Sequence, residues 1–195
     1  MNNFKLFSLT VFGLIFANIS HAESGLFVEP GIQYETGDSA FNWPAPYSRT
    51  DGNVKGFGVG AKVGIHFFEV LFAGLDATAS RPVYSDNNIE TYSTSLNAGG
   101  IIGVQMPVVG LRVWGEYIFA SQFDPDVKNG IDTKFSHGTG YKAGAGFLLF
   151  FVSLNLEYQD IIYTKSELTA PIAVSSKDNF ERKTFILGLS FPMAM

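Results

Sequence analysis

Between Gly25 and Phe191 the chain alternates apolar and polar side chains with a period of two, in eight separate segments. Successive side chains of a strand point to opposite faces, so this periodicity commits the chain to β-structure rather than helix. In the second segment Phe57, Val59, Ala61, Val63, Ile65 and Phe67 stand against Gly56, Gly58, Gly60, Lys62, Gly64 and His66. The fifth sets Leu111, Val113, Tyr117 and Phe119 against Arg112, Trp114, Glu116, Ile118 and Ala120. The seventh sets Val152, Leu154, Leu156 and Tyr158 against Ser153, Asn155, Glu157 and Gln159. Most segments are close to the roughly 9–11 residues that a tilted strand needs to cross a bilayer.

The connections sort themselves. Phe68-Glu69-Val70, Pro107 to Gly110 and Phe150-Phe151 are short, whereas Thr36 to Val54, Pro82 to Thr91, Asp124 to Gly138 and Thr164 to Lys183 are long. Strict alternation of long and short places every extended loop at one end of an up-and-down structure, the pattern of outer-membrane barrels.

Composition decides which solvent the apolar face meets. The chain is 46% hydrophobic and only 16% charged, against a usual charged fraction of about 25%. Large apolar residues occur on one parity of all eight segments. That is more volume than an eight-stranded lumen holds, because side chains just fill such a barrel. The apolar parity therefore faces lipid, and closure of the sheet pairs every backbone group, as hydrocarbon requires. The expectation is an all-β, eight-stranded antiparallel up-and-down transmembrane β-barrel over residues 23–195, with short periplasmic turns and four long extracellular loops.

Residues 1–22 read as a secretory signal peptide: Lys5, then an apolar stretch from Leu6 to Ile19, then Ser20-His21-Ala22 as a cleavage site. The absence of cysteine excludes a disulfide scaffold, thiolate zinc sites and a cysteine nucleophile. A formal charge of −5 argues against nucleic-acid binding. No cofactor and no metal are expected.

In this pattern the chain resembles the small eight-stranded outer-membrane proteins of Gram-negative bacteria, of the OmpA, OmpX and OmpW type. In that family a terminal strand ending in an aromatic is read by the barrel-assembly machinery. Phe185-Ile186-Leu187-Gly188-Leu189-Ser190-Phe191 looks similar, with Phe191 as the assembly signal, although Pro192-Met193-Ala194-Met195 follow it. The resemblance implies an outer-membrane location, outer-membrane lipid and lipopolysaccharide as surroundings, and the assembly machinery as a partner during biogenesis. A monomer is expected.

The inward parity holds the candidate lumen residues. Glu29, Glu35, Asp76, Glu116 and Glu157 face Lys62, Arg112 and Lys142, and a hairpin centred on Glu69 puts Lys62 opposite Asp76. Charges in a constricted interior must pair, so the expectation is a polar network that fills the barrel and serves a structural or surface-interaction role. The alternative is a narrow channel for small hydrophilic solutes or ions, gated by the same pairs. Inward glycines on the second and sixth segments keep that alternative open.

All but three of the lysines and arginines after residue 22 fall in the long loops or at the upper rim. Arg49, Lys55, Arg81, Lys165, Arg182 and Lys183 are there to meet phosphorylated outer-leaflet lipid. Phe41, Trp43 and Tyr47 form an apolar cluster in the first loop, either a partner site or a lid over the barrel. A lipid A-modifying enzyme is a further alternative. His137 adjoins Ser136, but neighbours on a strand point to opposite faces, so no nucleophile–base pair follows and the chain is expected not to be an enzyme.

Overall fold

The computed structural model describes residues 25–42, 49–68, 70–86, 90–130, 132–170, 174–176 and 179–194. The expected signal peptide, Trp43 and Tyr47 lie outside the described residues. The elements are β1 (Leu26–Asn42), β2 (Thr50–Phe67), β3 (Leu71–Asp86), β4 (Glu90–Met106), β5 (Leu111–Pro125), β6 (Asp132–Leu149), β7 (Val152–Ala170), β8 (Val174–Ser176), β9 (Asn179–Ser190) and β10 (Met193–Ala194).

Each of β1 to β7 pairs antiparallel with the next, and β9 pairs with both β7 and β1, which closes a ring of eight strands. The short β8 lies beside the end of β7, and β10 lies beside the start of β1. Residues 192–194 therefore stay on the barrel wall: the Phe191 amide donates to the Pro30 carbonyl at 2.9 Å, and Met193 faces Val28 in the next pairing. The hairpin after β2 has the expected register, with Phe67 opposite Leu71 and Lys62 opposite Asp76. Phe68 and Phe150 adopt left-handed backbone angles in the short turns, as tight reversals often require.

The strands are longer than the sequence reading gave them. β1, β6 and β7 run for 17, 18 and 19 residues, well beyond the ~9–11 needed to span hydrocarbon. Much of what reads as long loops is strand: β1 continues to Asn42, β2 begins at Thr50, and only 87–89 separate β3 from β4. The physical reason is a change of phase. The alternation persists above the membrane, but the apolar residues move from the outward to the inward parity.

A further departure concerns side-chain direction. The sheet register shifts between Ile118 and Ser121, so Phe119 and Ala120 both face outward and Ser121 turns inward. Ala120 therefore belongs to the exterior, not to the lumen parity. Such a bulge bends one strand against its neighbour and resets the parity beyond it.

The exterior between two aromatic rings is built for lipid. Phe57, Tyr92, Tyr117, Tyr141 and Phe185 are exposed near the upper ring, and Phe67, Phe68, Phe150 and Phe151 near the lower one. Between them Ile32, Val59, Leu75, Leu96, Ile102, Val113, Leu156 and Leu187 are all exposed. A water-soluble protein would not leave so large a contiguous apolar belt uncovered. No helix among the described residues is long and apolar enough to cross a membrane; the strands do the crossing.

Candidate functional site

The lumen is the candidate site, and the inward parity of the strands builds it in three levels. In the membrane-embedded part, Lys142 on β6 is fully buried and lies 2.7 Å from Asp76 of β3 and 2.8 Å from Glu116 of β5. Glu157 of β7 stands 3.9 Å away on its other side. Lys62 of β2 donates to Glu157 at 3.1 Å and lies 4.0 Å from Asp76, the residue opposite it in register. Two cations and three carboxylates thus form one cluster across five strands.

A second pair lies beside it. Arg112 donates to Glu29 at 2.7 Å, and the Ser190 hydroxyl donates to the other Glu29 oxygen at 2.6 Å. The Arg112 guanidinium also lies over the Phe72 and Trp114 rings, 5.2 and 5.7 Å from their centroids. Seven of the eight residues expected to share the lumen network therefore make ion pairs. The eighth, Glu35, sits apart and accepts a hydrogen bond from Ser80 at 2.6 Å.

At the periplasmic end, Phe27, Phe72, Ile101 and Trp114 pack together inside the barrel, with the His66 ring 4.7 Å from that of Phe27. Small residues opposite make this possible. A Cβ at Gly144 would lie 2.6 Å from Trp114 Nε1, so glycine there leaves the room the indole fills.

At the extracellular end the lumen becomes aromatic. Phe41, Val54, Ile118, Phe123, Phe135, Ile161, Tyr163 and Phe180 form one buried cluster, with Tyr84 packed against it. Phe180 stacks on Phe135 with centroids 4.2 Å apart and on Phe123 at 5.4 Å. Burial, with the Asp86 carboxylate beside it, pushes the Tyr84 phenol well above its usual range. Phe41 is part of this cluster, not an exposed loop residue open to a partner.

Arg182 is the main correction at the rim. It is 0% exposed, donates to Ser95 across the barrel at 2.8 Å and lies 5.3 Å from the Phe123 ring. It cannot meet lipid from there. Arg182 and Thr184 share the inward parity, so carrying the alternation of the last strand two residues further back would have found it. The other rim cations do face outward. Arg81 pairs with Asp126 at 2.5 Å and Arg49 with Asp51 at 2.7 Å, while Lys183 stands 3.8 Å from Asp160. Lys55 is exposed, and Lys165 pairs with Glu167, whose carboxyl it holds below its usual range. Phe191 sits at the lower edge of the barrel, partly exposed next to the β10 pairing.

Little open space remains inside the membrane-level lumen. A cavity of about 20 Å³ lies among Glu29, Lys62, Asp76, Asn155, Glu157 and Ser190, room for about one water molecule. On the outer rim, His137 is exposed with a left-handed backbone angle of 53°, between the in-register pairs Ser136–Lys165 and Gly138–Tyr163 and beside a register shift of β6 against β5. Among the described residues no cluster of acids and histidines could hold a metal ion.

No family model matches the chain, and no curated protein matches its sequence significantly. Solved structures do share its shape. Neisserial surface protein A superposes with a TM-score of 0.50 at 13% identity, covering 86% of this chain and 97% of that one. The outer membrane protein OprG of Pseudomonas aeruginosa gives 0.51 at 11% identity, over 91% and 99% of the two chains. The outer membrane protease OmpT of Escherichia coli gives 0.50 at 8%, over 91% and 100%. At such identities the likeness is one of fold, and that fold is the outer-membrane β-barrel. One of these proteins is a protease, so activity has to be argued from the side chains.

Proposed function

We propose that this outer-membrane barrel has a packed, non-conducting lumen and a structural role in the membrane, with any recognition carried out at its extracellular end. One observation carries the reading: the lumen is occupied at every level. An apolar cluster fills its lower end, ion pairs fill the middle, and stacked aromatic rings fill the top. A hydrated path needs a continuous polar lining, whereas packed aromatic rings interrupt it at the upper end. The charged middle level then serves register and closure. Each partner comes from a different strand, so the pairs reward one circular arrangement of the strands.

Further parts of the reading follow the same logic. Lys55, Arg81 and Lys183 sit just above the upper aromatic ring, where phosphates of outer-leaflet lipopolysaccharide would lie. Phe191 at the end of β9 is the proposed contact for the assembly machinery. The chain is proposed to be a monomer and not an enzyme, and His137→Ala is expected to leave lipid A unchanged in mass spectra.

Solute flux tests the reading. Lipid vesicles carrying the reconstituted barrel should swell in isotonic arabinose no faster than protein-free vesicles. Swelling that rises with the amount of barrel would favour the channel reading instead.

A further inference from the structure

Above the aromatic plug, the strands enclose a cavity of about 200 Å³. Phe41, Tyr84 and Phe135 form its apolar wall, and Asp86, Asp126 and Lys128 stand at its polar side. These residues come from the extracellular ends of β1, β3 and β6 and from the β5–β6 connection. The floor is closed, since Phe180 stacks under Phe135 and Tyr84 packs on both Phe123 and Phe180. The space is therefore a pocket rather than the entrance to a path, a point that rests on the closed-lumen reading above.

The size and chemistry of the pocket restrict its occupant. At about 200 Å³ it is smaller than the roughly 300–1,000 Å³ of sites for drug-sized ligands, so the ligand is about one ring in size. Three of the lining residues are aromatic, and an aromatic ring attracts a cation through its quadrupole. The carboxylates outnumber the ammonium groups along the lining. Asp86 accepts from the Tyr84 hydroxyl at 3.1 Å, and Asp126 is shared with Arg81. Nearby, burial pushes the Asp124 carboxyl up against the pull of Lys134, helped by Asp132 and Asp126. An anionic ring would be repelled, and a neutral one would desolvate carboxylates without replacing their water.

We infer that this extracellular pocket binds a small organic cation with an apolar or aromatic body, its charge held between Asp86 and the faces of Phe41, Tyr84 and Phe135. Such a molecule is of the class of aromatic amines and quaternary ammonium compounds. It is held at the surface and does not pass through.

Benzyltrimethylammonium is a suitable probe, titrated calorimetrically into the full-length barrel in lipid nanodiscs, with phenylacetate and benzyl alcohol as the anionic and neutral controls. The expected result is saturable binding of the cation, with both controls at least about tenfold weaker, a discrimination of about 1.4 kcal/mol. Asp86→Asn should weaken the cation about tenfold, and Phe135→Leu, which keeps an apolar wall but removes a ring face, several-fold. Unheated gel mobility checks that each variant is still a closed barrel, and Asp126→Asn repeats the charge test if Asp86→Asn is not. No saturable binding, equal binding of phenylacetate, or cation affinity unmoved by the carboxylate variant would overturn the assignment. Vesicle swelling reports on the lumen and the titration on the pocket, so failure of one reading is separable from failure of the other.

Discussion

Below the upper aromatic ring the barrel carries its charges inside and its aliphatic side chains outside; above that ring, Arg182 apart, the order reverses. β1 shows the change along a single strand, with Glu29 and Glu35 buried and Ile32 exposed in the lower part, then Phe41 buried at the top. β9 shows it too: Leu187 and Leu189 are exposed below, while Phe180 is buried above beside the outward Lys183. The lower part is arranged for hydrocarbon, where an apolar exterior costs nothing and interior polar groups must satisfy one another. The upper part is arranged for water, and there the hydrophobic effect again drives apolar groups inward. One continuous sheet thus has two kinds of core, one ionic and one aromatic, and they should fail differently.

The largest effect is expected at the hub of the ionic core. Lys142→Met leaves Asp76, Glu116 and Glu157 around one remaining ammonium, Lys62, and should cost about 3–5 kcal/mol in urea unfolding of the reconstituted barrel. Asp76→Asn placed on top of it should recover part of that loss, giving a coupling on the order of 1–3 kcal/mol. Additive losses would mean that the lower core is not a cooperative ion cluster. In the aromatic core, Phe180→Ala should cost about 3 kcal/mol or somewhat more, as a cavity left by a buried ring. This loss should be insensitive to Asp76→Asn, since Phe180 packs within the upper aromatic cluster. Coupling between Phe180 and Asp76 would erase the distinction between the two cores.

Smaller effects sharpen the boundary. Ser80→Ala removes the hydroxyl that donates to buried Glu35 and should cost about 1.5–3 kcal/mol, because the acceptor is charged. Gly144→Ala drives a methyl into Trp114 at the lower end, with an expected loss of about 1–3 kcal/mol from overpacking. Arg81→Ala breaks an exposed pair with Asp126 and should change stability by no more than about 1 kcal/mol. A large loss at Arg81 would mean that the rim, and not the two cores, holds the barrel closed.

The lower core was legible in the sequence because one rule governs all of it. Parity separates Lys62 from Val63 and Glu157 from Leu156, and a three-residue turn places Lys62 opposite Asp76 without any knowledge of the rest. The upper core was not, for a physical reason. Apolar residues on the lipid-facing parity mark a membrane strand, so the segments seem to end once Lys55 or Lys183 appears on that parity. Phe135 and Phe180 then read as loop residues, although the alternation runs on towards them. The bulge after Ile118 hides the switch further, because it puts Phe119 and Ala120 on the same face. Which carboxylate Lys142 chooses was beyond the sequence as well. Glu116 stands opposite Lys142 on the neighbouring strand across a long connection, whereas Asp76 comes from β3 and only closure of the barrel brings it within 3 Å.

Sealing of the lumen by the two cores is the central claim, and single-channel recording in planar bilayers tests it most directly. Repeated insertions of the unmodified barrel should give no discrete current steps under an applied voltage. Reproducible steps of uniform size from the unmodified barrel would contradict the account, because ions would then be crossing both an ion-paired and an aromatic core.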